Sequence, residues 1–240
     1  MSKIWIITKR ELSGFFDSLI AYVMIILFLG LSGSFTWLFG TNVFMLGQAS
    51  LSVFYSIAFW SLFFFIPAIT MRMIAEENKS GTIELLITKA VSDEQIVTGK
   101  FLACLILVLI ALLCTVPYYI TVSQLGNVDD GGVIGGYLGM TLLAASYISI
   151  GLFASSLTQN QIVAFLIALF IGIFFQMLFD VIGSGLTGSL GQVFSFLSLR
   201  THVDSLSRGV IDSRDIIYFI SIILIGLVGT KIMLSKRNWK

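Results

Sequence analysis

Residues 71–100 read MRMIAEENKSGTIELLITKAVSDEQIVTGK, the one long charged interruption in a chain whose flanking runs are apolar enough to cross a bilayer. The run before it, Leu51 to Met71, and the run after it, Phe101 to Val122, each approach the roughly 20 apolar residues that cross a ~30 Å hydrocarbon core as helix. Further out, the same criterion selects Ser18 to Phe39, Val133 to Leu157, Ile162 to Ile182 and Ile216 to Leu234. The runs are continuous and do not alternate, which predicts helices and excludes membrane strands. Composition agrees: of 240 residues 57% are hydrophobic and 11% charged, where a soluble domain carries about 25% charged. The expectation is an all-α integral membrane protein, one domain over residues 1–240, with six transmembrane helices.

Charge orients the spans. Lys3, Lys9 and Arg10 precede the first; Arg72, Lys79, Lys89 and Lys100 sit in the quoted loop; Lys231, Lys236, Arg237 and Lys240 flank or follow the last. Of the 14 basic residues only Arg200, Arg208 and Arg214 fall elsewhere. By the positive-inside rule both termini and the 71–100 loop are cytoplasmic. Residues 40–50 carry no charge, residues 123–132 only Asp129 and Asp130, and the 158–161 turn (TQNQ) none. The amphipathic start, Met1 to Phe16, lacks the layout of a signal peptide.

Within the loop, Ser80 or Thr82 can cap a short helix through Thr88. Ser92-Asp93-Glu94-Gln95 fits a capping box from which a helix runs straight into the third span. The short helix would carry Glu84 beside Ile83, Leu85, Leu86 and Ile87. An interfacial helix on anionic headgroups favours basic residues. This loop holds four basic and five acidic residues, which favours a protein-docking surface over a lipid-bound connector.

Several functions are excluded or disfavoured. Gly99-Lys100 is the only Gly-Lys pair, but Glu94 stands where a phosphate-cradling loop needs its first glycine, and Phe101 replaces the Ser/Thr. The chain therefore binds no ATP or Mg of its own. No nucleophile and base motif appears, and the single histidine, His202, reads as a structural hydrogen-bonder. Asp180 and Lys231 lie near span ends, where a proton relay would place ionisable groups centrally. Cys104 and Cys114 are ten positions apart in one helix, about 15 Å, too far for a disulfide and too few for a metal site. A net charge of +1 with no basic stripe offers nothing to nucleic acid.

Pro67-Ala-Ile-Thr-Met-Arg72, Glu76-Glu77, Ser80-Gly81-Thr82-Ile83-Glu84-Leu85-Leu86 and Gly99-Lys100-Phe101 resemble the signature of ABC-2 type transporter permeases. Other segments resemble the gliding-motility-associated permease subunits of that superfamily. These are Arg10-Glu11 with Phe15-Phe16, Gln124 to Asn127, Gly151 to Ser156 with Asn160-Gln161, and His202 with Arg208 to Asp212 and Tyr218-Phe219. Permeases for copper-site maturation or small-molecule efflux share much of the pattern. The resemblance implies a half-transporter in the bacterial cytoplasmic (inner) membrane. Its partners would be a separate cytoplasmic ABC ATPase, which holds ATP and Mg, and a second permease, itself or a paralogue with a periplasmic domain. It also implies a coupling helix in which Glu76, Glu77, Gly81, Thr82, Glu84 and Leu85 dock on the ATPase, and a connecting helix centred on Lys9, Arg10 and Glu11. The alternative is a non-transporting anchor or mechanical transmission subunit of an envelope machine.

Pro67 and Pro117 both fall inside expected spans and are candidate hinges. Gly132-x-x-x-Gly136 and Gly135-x-x-x-Gly139 permit close helix approach, inside the bundle or at a dimer face. The 183–215 segment is too long for a turn, and Val193 to Leu197 is too short to span. It therefore fits a re-entrant or interfacial helix, with Asp180, Arg200, His202, Arg208 and Asp212 as polar residues of the outer helices and Asp180 paired with Arg200.

Overall fold

A computed structural model describes residues 2–40, 43–81 and 92–236. Six helices long and apolar enough to cross a membrane appear among them. Span one is Ile20–Trp37 and span two Ser52–Thr70. Span three is Asp93–Leu113 followed by Val116–Leu125, and span four is Asp130–Ser156. Span five is Gln161–Ile173, continued through a π turn at Phe174–Leu178 into Phe179–Gly185, and span six is Ser213–Lys236. The N-terminal helix Lys3–Asp17 lies against the start of span three, and Ser235 near the end of span six bonds Asp93. The two ends of the described chain therefore share one end of the bundle, here the basic end, with the 71–100 loop.

Span four is the axis. Of its apolar window 78% is buried, against 28%, 22% and 28% for spans one, five and six. It packs on spans two, three, five and six. The reason is its run of small residues, which lets neighbouring backbones approach where lipid offers no hydrophobic drive. A Cβ on Gly135 would stand 2.1 Å from the Leu206 carbonyl oxygen, and one on Gly136 would stand 2.3 Å from the Tyr55 ring. Both glycine pairs are thus consumed inside the bundle, and the dimer-face reading of Gly132, Gly135, Gly136 and Gly139 is corrected.

Span three does not run unbroken through Pro117. Its first segment is closed by Cys114, and Thr115 turns its hydroxyl to the Leu112 carbonyl at 2.6 Å. Pro117 then occupies the first turn of the second segment, where its missing N–H breaks no helix bond. It is a helix-start residue, standing just past an interruption of the span. Pro67 does stand inside a helix, four residues before the chain turns at Met71.

The 183–215 segment folds as two short end helices, Ser189–Leu197 and Leu199–Ser207. The first packs back on the end of span five and the second on span four. The capping box is present as expected: Ser92 Oγ accepts from Gln95 N–H at 3.3 Å, and Gln95 Oε1 accepts from Ser92 N–H at 3.3 Å.

Candidate functional site

Beyond Thr70 the chain leaves span two through a turn and re-enters helix at Ala75–Ser80. A new helix start leaves backbone N–H groups without partners. Ser155, at the end of span four, supplies one. Its fully buried hydroxyl accepts from Ile74 N–H at 3.1 Å and Ala75 N–H at 3.0 Å, and donates to the Met71 carbonyl at 2.9 Å. The turn is thereby fixed to the axial span.

One turn further on, Glu77 points inward. Its Oε1 takes the ammonium of Lys100 at 2.8 Å, and the same Nζ donates to the Met73 carbonyl at 2.8 Å. Lys100 is 1% exposed, so this cation has almost no water. Its remaining partner comes from the N-terminal helix, Glu11 at 3.4 Å. Arg10 pairs with Glu11 and stands 3.5 Å from Glu77. Two cations and two carboxylates from three elements thus neutralise one another. Glu77 Oε2 is buried with no hydrogen-bond partner among the described residues.

The N-terminal helix is held there by shape as well as charge. Thr8 donates to the Gly99 carbonyl at 3.1 Å, and a Cβ on Gly99 would stand 2.8 Å from Ile7. Only a bare backbone lets the two helices meet this closely. Ile7, Thr8 and Phe15 form the buried face, while Trp5 and Ile6 stay exposed, an interfacial pattern. Arg72 lies 5.4 Å from the Phe15 ring centroid and donates to Ser18 Oγ at 3.3 Å. Span six joins the same end: Lys231 reaches Glu94 at 2.7 Å and Ser235 reaches Asp93 at 3.0 Å.

Burial pushes the Glu11 carboxyl up, but Lys100 and Arg10 act against it and hold it below its ordinary value of 4.5. A carboxylate lowered in the folded state adds stability above its unfolded value and loses it as pH falls through the folded one. Thermal unfolding of the detergent-purified chain is therefore expected to be insensitive to this group above the ordinary carboxylate range. A drop in unfolding temperature on acidification should then be smaller in Glu11→Gln, and an identical acid profile in that variant would refute the assignment.

Residues 57–234 match the family model described as ABC-2 family transporter protein. The chain belongs to the ABC-2 transporter family. No curated protein is significantly similar to it in sequence. The matched residues run from span two to span six and include the loop. In this family the membrane chain is a multi-pass transport component, not itself catalytic, and generally works with a cytoplasmic ATPase subunit.

Of the six expected docking residues of the permease, Thr82, Glu84 and Leu85 lie outside the described residues, as does the helix expected through Thr88. Glu76 is exposed. Glu77 faces the ion network, and Gly81 is the left-handed cap that ends Ala75–Ser80, at φ 71°. Ser80 is the last residue of that helix. Lys9 is exposed beside Arg10 and Glu11.

At the other end, His202 stacks on Tyr218 at 3.9 Å between centroids. Its Nδ1 stands 2.6 Å from an Asp215 carboxylate oxygen, and its Nε2 stands 2.7 Å from the Phe196 carbonyl. It therefore joins both end helices to span six. Asp212 accepts from Arg214 N–H at 2.9 Å and starts span six. Arg200 stands 4.0 Å from Asp180 and 3.7 Å from Asp204.

Sequence reading missed Ser155, Thr8 and Asp215, and took Lys100 as a loop charge and part of the family signature, not as a buried ion-pair partner. The available signal was Lys100 itself: a lysine two turns into an otherwise apolar helix is almost never buried unpaired. Its partners, 23 and 89 residues away, carried no local mark.

Proposed function

We infer that this permease is the membrane half of an ATP-driven transporter and that a separate ATPase, holding ATP and Mg, drives it through the 71–100 loop. The basic end faces the cytoplasm of a bacterial inner membrane. The observation that carries the reading is the buried Lys100, which ties the loop through Glu77, the N-terminal helix through Glu11 and span three through its own backbone. A push on the segment after Gly81 would reach all three elements together, and Ser155 would pass it to span four.

Many buried hydroxyls of the spans bond their own helix backbone: Thr36 to Ser32, Ser146 to Leu142 and Thr230 to Gly226. They are spent on internal packing, which supports a pathway formed with a second permease, either a copy of this chain or a paralogue with a periplasmic domain. The resemblance to gliding-motility-associated subunits favours envelope work over copper-site maturation or small-molecule efflux. An anchor or mechanical transmission role would use the same junction.

The test is Glu84→Lys, and separately charge reversal at exposed Glu76, in membranes containing the ATPase. Insertion is expected to persist, while co-purification of the ATPase falls at least about tenfold, the scale of one lost charge-assisted contact. Unchanged co-purification and unchanged transport in both variants would sink the docking assignment.

A further inference from the structure

At the end of the bundle away from the loop, a cavity of about 360 Å³ opens between the starts of spans two and four and the second end helix. Two arginines and two aspartates line it, and they differ in what they already hold. Arg200 is engaged by Asp204 and Asp180. Arg208 gives its Nε to the Asp204 carbonyl at 3.1 Å, and among the described residues no carboxylate lies within ion-pair distance of its guanidinium. Asp129 uses one oxygen to cap span four, accepting from Gly131 N–H at 3.1 Å, and no described Lys or Arg pairs with it. The cavity therefore presents one cation and one anion that stand outside any ion pair among the described residues.

Below these charges the lining turns aromatic, with Tyr55 and, one turn on in span two, Phe59 and its neighbour Trp60. Trp60 also lines a second hollow of about 360 Å³, an apolar furrow between spans one and two floored by Leu31, Phe35 and Phe64. From Ile57 to Phe65 the furrow follows about 12 Å of helix toward the middle of the membrane. A charged mouth and an apolar furrow that share Trp60 as a wall have together the shape of an amphiphile lying in a leaflet.

We propose that this is a binding site for a phospholipid whose headgroup carries both a phosphate and a primary ammonium. Arg208 takes phosphate oxygens through its free terminal N–H groups. Asp129 accepts from the ammonium, and an acyl chain runs past Trp60 into the furrow. The chemistry sets the selectivity. A trimethylammonium headgroup has the charge but no N–H for Asp129, and a glycerol headgroup has no cation at all. Neither the loop nor the ion network takes part, so the site is independent of the proposed coupling.

The full-length protein in detergent, titrated with phosphatidylethanolamine, phosphatidylcholine and phosphatidylglycerol and read by native mass spectrometry, tests this. Phosphatidylethanolamine should bind about tenfold more tightly than either competitor, the scale of one hydrogen bond to a charged group. Asp129→Asn, which keeps the helix cap, should remove most of that preference, while Arg208→Gln at an exposed position should weaken all three lipids through the phosphate they share. Trp60→Ala should weaken all three lipids together. Equal affinity for the three lipids in the unaltered protein would overturn the proposal. So would an unchanged preference in Asp129→Asn, or unchanged affinity for all three lipids in Arg208→Gln. Chain-free glycerophosphoethanolamine binding as tightly as the lipid would also overturn it, because the site would then be for a soluble headgroup and not for a lipid.

Discussion

Lys100→Met is expected to destabilise the bundle by about 3–5 kcal/mol, the cost of leaving buried charge without its partner. Methionine nearly matches the lysine stem in volume, so little cavity forms. The loss comes from Glu77 and Glu11, which would keep two carboxylates against the single exposed charge of Arg10. Met73 would also lose the donor at its carbonyl. The sharper arm is the triple variant Glu11→Gln, Glu77→Gln, Lys100→Met, in which no buried charge is orphaned. Its stability should recover most of the single-variant loss, because a buried ion pair replaced as a unit is often neutral. Coupling to the ATPase should not recover, because the three elements are no longer held as one. Unfolding of purified protein in detergent measures the first part, and ATPase stimulation by the reconstituted pair measures the second. A triple variant with full coupling would show that the network only holds the fold together.

The second large effect is expected at the opposite end. His202 is 3% exposed and Asp215 6% exposed. His202→Leu would remove the partner of Asp215 Oδ1, and Asp215 Oδ2 already has none among the described residues. A carboxylate stranded in that way costs about 3–5 kcal/mol. The Phe196 carbonyl would lose its donor as well, so the first end helix should loosen before the spans do. Hydrogen exchange is expected to rise first in residues 189–207, and the global unfolding temperature to fall with it. Adding Asp215→Leu to His202→Leu should return most of the stability. If exchange in 189–207 stayed at the parental level in the single variant, the tie between the end helices and span six would not be holding them.

The spans were legible because their signal is local and additive. About 20 apolar residues in a row cannot remain in water, and in lipid they must satisfy their backbone as helix. The start of span three was legible for the same reason. Ser92 and Gln95 exchange hydrogen bonds three residues apart, so the sequence window contains both partners. Pro117 was legible as a place where the span is interrupted, but not as the start of a separate helical segment. Thr115, which turns its hydroxyl back onto Leu112, marks the break but looks like any other span threonine. The four glycines of span four were legible as places of close approach, but not as to what approaches. Leu206 and Tyr55, which occupy those places, come from elements 71 residues later and 81 residues earlier than Gly135 and Gly136 respectively.

By itself the sequence determined the number of spans, the end of the bundle that gathers positive charge, the capped start of span three and the family. Each rests on composition, length or short-range hydrogen bonding. Tertiary structure alone decided that Lys100 is a buried strut, that Ser155 holds the turn after span two, that Arg208 and Asp129 are left over beside an aromatic cavity, and that span four is the axis. The physical reason is rotation. A helix that is apolar nearly all round carries no periodic mark of which face meets protein and which meets lipid, so its facing is set by what packs against it.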